Sequence, residues 1–265
     1  MTVVVYDGSF GGLLTAIFEI YEFKILDASI RKDGDVNYSL FGQSKIVTTD
    51  PAKAQRVWKK LQDKLSNSAL SQFYKTFLSE ITGIENHLLG YTRYMLSQKK
   101  NVENNYGHAN VLMLQETSRK VHREKHRMEA FVRFQLTKDG LYYSIVQPDY
   151  DVLPLIRKHF KDRFADQKWL IYDTRRKYGI YYDLKEVTEI EMEFAVNTND
   201  KTQLETIHDH KEELWQKLWQ QYFTSVNIPA RKNMKLHIKH MPKRYWKYLP
   251  EKQAIHLSRI TDDSQ

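Results

Sequence analysis

The sequence predicts an α+β fold: an antiparallel sheet built from hairpins and flanked by helices. Three observations carry this expectation. Residues 129–137 alternate, with Val132, Phe134 and Leu136 opposite Phe131, Arg133 and Gln135, and the turn Lys138-Asp139-Gly140 leads into an aromatic, β-branched run at 141–147. Thr188, Ile190, Met192 and Phe194 alternate with Glu189, Glu191 and Glu193, as in a half-buried strand. Toward each end of the chain the apolar residues take helical spacing instead: Phe10, Leu13, Leu14, Ile17, Phe18 and Tyr21, and later Leu204, Ile207, Leu214, Leu218 and Tyr222.

In chain order, Val3 to Tyr6 is a short β-branched strand, and Asp7-Gly8-Ser9 supplies a turn and a helix cap for residues 10–23. Thr49-Asp50-Pro51 places a cap and then a proline at the first helical position, starting a helix that runs to about Leu65. Further helices are expected near residues 68–81, 84–97 and 108–128. The polar loop 98–107, with Lys99, Lys100 and three asparagines, is the best internal boundary. It separates a mostly helical region with an initial strand, residues 1–100, from an α+β region, residues 101–265. Within the second region, residues 151–164 read as a helix capped near Asp149 or Asp151. Residues 169–173 and 178–183 read as a second hairpin around Arg175-Arg176-Lys177, sharing one antiparallel sheet with the first. Residues 203–225 read as a final helix. No internal repeat or low-complexity segment is visible.

Composition narrows the function. With 41% hydrophobic and 13% aromatic residues there is ample material for a core. The absence of cysteine excludes disulfides, a cysteine nucleophile, cysteine-ligated zinc and cysteine-held iron–sulfur clusters. No apolar run approaches the ~20 residues of a membrane span, and the opening residues lack signal-peptide character, so a cytoplasmic protein is expected. The net charge of +8 is unevenly spread. Residues 229–249 hold Arg231, Lys232, Lys235, Lys239, Lys243, Arg244 and Lys247, no acid, and the rings of Tyr245, Trp246 and Tyr248. Cations neutralise phosphates and flat rings stack on exposed bases, so this interleaving suits nucleic acid. Each ring taken alone reads as core. Arg175, Arg176 and Lys177 add three cations at a hairpin tip, and residues 119–127 carry five Lys/Arg and one Glu. Against this, residues 183–213 contain ten acids and three lysines, a stretch able to fold onto the basic tail and neutralise it.

Catalytic motifs are sparse. Gly8-Ser9-Phe10-Gly11-Gly12 matches neither GxGxxG nor the Walker A pattern and reads as a turn and cap. The pairs His208/His210 and His237/His240 lack a third ligand nearby, so no metal site and no cofactor are expected. Asp149, Asp151 and Asp173 are the candidate acids or bases, in positions that are ordinarily structural.

Three longer strings, YDGSFGGLLTAIFEIYE, DGLYYSIVQPDYDVLPLIRKHFKDRFADQKWLIYDTRRKYGIYYD and LWQQYFTSVNIPARKNMKLHIKHMPKRYWKYLPE, resemble the DUF4130 family. The resemblance implies a role in DNA metabolism or repair and pairing with a radical-SAM DNA-modification or repair protein. Related domains occur joined to uracil-DNA-glycosylase-like domains. It transfers no catalytic residues. A chain without cysteine cannot itself carry the three-cysteine cluster of a radical-SAM enzyme, so the partner would perform that chemistry. The expectation is therefore a DNA-binding accessory subunit. Arg175, Arg176, Lys177, Arg231, Lys232, Lys235, Lys239, Lys243 and Arg244 would hold phosphates, and Tyr245 or Trp246 would wedge or stack bases. The alternatives are a DNA-acting hydrolase or base-removing enzyme using Asp149, Asp151 or Asp173, and a protein–protein adaptor.

Overall fold

The computed structural model describes residues 1–34, 43–138, 140–191, 238–249 and 252. The expected helix at 203–225, most of the acidic stretch, and Arg231, Lys232, Lys235, His208, His210 and His237 lie outside the described residues. The chain divides into two units, Met1–His122 and Arg123–Gln265. Among the described residues no helix is long and apolar enough to cross a membrane.

In the first unit, β1 (Thr2–Tyr6) is the centre of a three-stranded parallel sheet, between β2 (Ala28–Lys32) and β3 (Gln43–Ile46). The crossover helix α1 (Phe10–Glu22) joins β1 to β2 and is capped by Ser9, whose hydroxyl accepts from the Gly12 amide at 2.9 Å. A Cβ at Gly12 would lie 2.2 Å from Asp7 Oδ1 and 2.8 Å from Thr49 Oγ1, so any larger residue there would displace the Asp7 and Thr49 side chains. α2 (Pro51–Gln62) starts at the expected Asp50 cap, and α3 (Asn67–Phe77) and α4 (Ile84–Ser97) follow. Leu13, Ile17, Ile30, Leu61, Phe73 and Leu88 form the centre of this unit's core. α4 also closes the outer edge of β2: Asn86 Oδ1 accepts from the Ile30 amide at 2.9 Å, and its Nδ2 donates to the Ile30 carbonyl at 3.4 Å.

α5 (Ala109–Phe131) gives its N-terminal part to the first unit and its last residues to the second. The second unit contains one five-stranded sheet in the order β4-β5-β6-β7-β8, made of β4 (Gln135–Leu136), β5 (Tyr142–Val146), β6 (Trp169–Asp173), β7 (Tyr178–Tyr182) and β8 (Val187–Glu191). The two expected hairpins do share a sheet, but the sheet is mixed. β5 and β6 run parallel, pairing Tyr142 with Trp169 through Val146 with Asp173, while every other neighbour is antiparallel. Together with the parallel sheet of the first unit, this corrects the expectation of a purely antiparallel architecture. The physical reason is α6 (Leu153–Arg163), which carries the chain from the end of β5 back to the start of β6, so that the two strands point the same way. Two boundaries also differ. Residues 129–131 continue α5 rather than opening a strand, and α6 has Val152 at its cap position, not Asp149 or Asp151.

All five residues of β6 are buried, as befits a central strand. Trp169 anchors its start, with ring centroids 5.5 Å from Tyr182, 6.1 Å from Phe160 and 6.2 Å from Phe134. At its other end the β6–β7 turn closes with Lys177 at φ 59°, a left-handed backbone.

Candidate nucleic-acid interface

Because β5 and β6 are parallel and end in register, the loop after β5 (residues 147–152) and the turn after β6 (residues 174–177) leave the sheet at the same edge. Ligand sites of open sheets with parallel strands form at this carboxyl edge. It gathers all three acids singled out in the sequence: Asp149 and Asp151 in the loop and Asp173 at the end of β6.

Asp173 is fully buried and organises the turn. Its Oδ1 accepts from the Arg175 amide at 2.8 Å and the Arg176 amide at 3.4 Å, and its Oδ2 pairs with Arg176 Nη1 at 2.7 Å. Arg176 continues to the Pro148 and Asp149 carbonyls at 3.3 Å, and Arg175 Nη1 donates to the Asp149 carbonyl at 2.9 Å. Tyr178 donates to Asp151 Oδ1, and burial, then the neighbouring Asp151 charge, push its phenol well above the ordinary range.

The other wall of the loop comes from α5 and from the 3₁₀ segment Lys243–Tyr248. Glu124, buried on α5, accepts the Asp149 amide at 2.9 Å and the Tyr245 hydroxyl on Oε1, and faces Arg127 and Arg244 at 3.3 Å on Oε2. Tyr245 is buried against Phe131, at 5.5 Å between centroids. Burial and its bond to Glu124 hold its phenol protonated far above the ordinary range. Arg244 lies over the Tyr245 ring, 4.4 Å from its centroid, and pairs with Asp149 Oδ2 at 2.6 Å. Lys247 and Tyr248 both reach Gln147 Oε1, at 2.7 and 3.0 Å.

The two cationic segments singled out in the sequence thus meet on one loop, the turn through Asp149 and the 3₁₀ segment through Gln147 and Asp149. Their residues have different surroundings. Arg175, Lys177, Lys239 and Lys243 are exposed, whereas Arg176 is almost covered. Tyr245 is core, and Trp246 is half-buried with Nε1 donating to the Met241 carbonyl at 3.0 Å. Of the described acids of the 183–191 stretch, two are engaged away from this tail, Asp183 in its own turn and Glu189 with Arg157 at 3.0 Å. Sequence reasoning missed Glu124, counted only as the one acid of a basic run. The available signal was its spacing, because it falls on the buried stripe of Leu114, Thr117, Val121 and Met128. Among the described residues no group of three or more His, Asp or Glu side chains is placed to hold a metal.

No curated protein matches the chain. One family model does, described as a domain of unknown function (DUF4130), and it covers residues 82–251. That span exceeds half of the chain and contains α4 through the 3₁₀ segment, every residue of the candidate site just described. The chain belongs to the DUF4130 family.

Proposed function

We propose that this protein is a DNA-binding accessory subunit of a DNA repair or modification system, acting with a radical-SAM partner. The observation that supports it best is the convergence of the hairpin tip and the 3₁₀ segment on the 147–149 loop, where Arg175, Arg244 and Lys247 all make contacts, with exposed Lys177 and Lys243 in the same two segments. Arg175 has a backbone carbonyl, that of Asp149, as its acceptor and so keeps its net charge for an incoming phosphate. Asp173 is buried and paired with Arg176, and Asp151 accepts from the Tyr178 hydroxyl, which favours binding over hydrolysis. The partner would supply any cluster chemistry, since the chain has no cysteine.

The test is oligonucleotide binding by fluorescence anisotropy across a salt series, with and without the partner. Phosphate neutralisation releases counterions, so affinity falls as salt rises. Arg175→Gln with Lys243→Gln is expected to weaken binding on every sequence and to reduce the log–log slope by about 0.7 to 0.9 per lost contact. An unchanged slope and affinity, or no binding at low salt, overturns the reading.

A further inference from the structure

Arg244 is held from two sides in different ways. Behind it are buried groups: the Glu124 carboxylate at 3.3 Å and the Tyr245 ring at 4.4 Å. In front is the carboxylate of Asp149, at 2.6 Å, in a pair whose side chains are 40% and 47% exposed. The Asp149 backbone is fixed, its amide on Glu124 and its carbonyl on Arg175 and Arg176. Its carboxylate has Arg244 as its one partner among the described residues. The loop is therefore rigid while the acid can turn away by a side-chain rotation. A guanidinium accepts a carboxylate or a phosphate with the same planar fork of donors, and an ion pair this exposed is weak enough to exchange.

We infer that Arg244 is a phosphodiester-binding residue, and that Asp149 occupies the phosphate position in the free protein as an internal competitor. The inference rests on the DNA-binding reading and adds the location of one phosphate and what must leave it. Exposed Arg175, anchored on the Asp149 carbonyl, flanks that position.

The experiment measures binding of a fluorescein-labelled oligonucleotide to the full chain at low salt. Asp149→Asn is expected to bind about 3- to 10-fold tighter than the parent, the exchange of a weak ion pair expressed as affinity. Asp162→Asn removes the same charge from an exposed acid on α6 and controls for net charge; it is expected to change affinity less than about 2-fold. In an Arg244→Lys background, which leaves Glu124 a cation but removes the fork, the gain from Asp149→Asn is expected to vanish. Asp149→Ser serves as a second variant, with melting temperatures confirming that each is folded. Parent-like or weaker binding by both Asp149 variants overturns the inference, as does an equal gain from Asp162→Asn or a gain that persists in the Arg244→Lys background. If the parent binds DNA and the Asp149 variants bind no tighter, only the inference falls. If neither the parent nor any variant binds, the DNA-binding reading falls with it.

Discussion

Glu124 and Glu19 are both acids surrounded by cations, and their settings give them different work. Glu124 is buried and accepts from several groups at once, so it fastens the 3₁₀ segment to the 147–149 loop. Glu19, on α1, faces Lys45 on β3 and Lys53 on α2, each at 2.9 Å. Burial acts to raise its pKa, but the bonds and charges of the two lysines outweigh it and hold the carboxyl below its ordinary value. A carboxylate depressed in the folded state contributes stability above its unfolded pKa and loses it as pH falls through the folded one. Glu19→Gln is therefore expected to cost about 0.5 to 1 kcal/mol at pH 7, the scale of partly exposed pairs. The difference from the parent should shrink to nothing in strong acid, once the parent's carboxyl is protonated. Urea melts at a series of pH values measure this, and a difference that stays constant down to pH ~2 would contradict the assignment.

At the scale of elements, the edge of β2 depends on a side chain from a helix. Asn86 completes both backbone bonds of Ile30, a residue with no exposed surface. Asn86→Ala leaves that amide and carbonyl unsatisfied and is expected to destabilise by about 1 to 3 kcal/mol, read as a lower urea midpoint with an unchanged slope. An unchanged midpoint would show that another group takes over the edge. Neither β2 nor β3 was legible in the sequence. ASIRK and QSKI carry one strongly apolar residue each, too few for an alternation to show, and their partner β1 supplies the apolar face. The elements with caps or dense patterns were legible: α2 from Asp50-Pro51, the β6–β7 hairpin from its turn, and β5 from its aromatic run. The direction of β5 relative to β6 was legible in principle. A strand, a helix and a strand in succession form a crossover, and placing both hairpins in one antiparallel sheet passed over it. At the interface the cations and Asp173 were visible as residue types. The partnership of Glu124, Asp149 and Arg244 was not, because it joins three segments distant in sequence.

For the whole molecule, which carries a net charge of +8, one cation of the β6–β7 turn stands where the chain has also spent backbone freedom. Lys177 closes the β6–β7 turn in the left-handed region, with its amide on the Asp173 carbonyl at 2.9 Å. Glycine adopts that conformation without steric strain, at an entropic cost of about 0.5 to 1 kcal/mol, while a residue with a Cβ is disfavoured there by roughly 1 to 2 kcal/mol. Lys177→Gly is accordingly expected to raise stability by about 0.5 to 1 kcal/mol and the melting temperature with it. The same change should weaken oligonucleotide binding and flatten its salt dependence by about one contact, roughly 0.7 to 0.9 in slope. A variant that gains stability and keeps full affinity would separate the lysine from the interface. With the expected outcome, thermal selection and DNA selection act against each other at this one position. A library screened only for heat resistance would steadily replace Lys177, discarding the cation at the hairpin tip while every measure of folding improved.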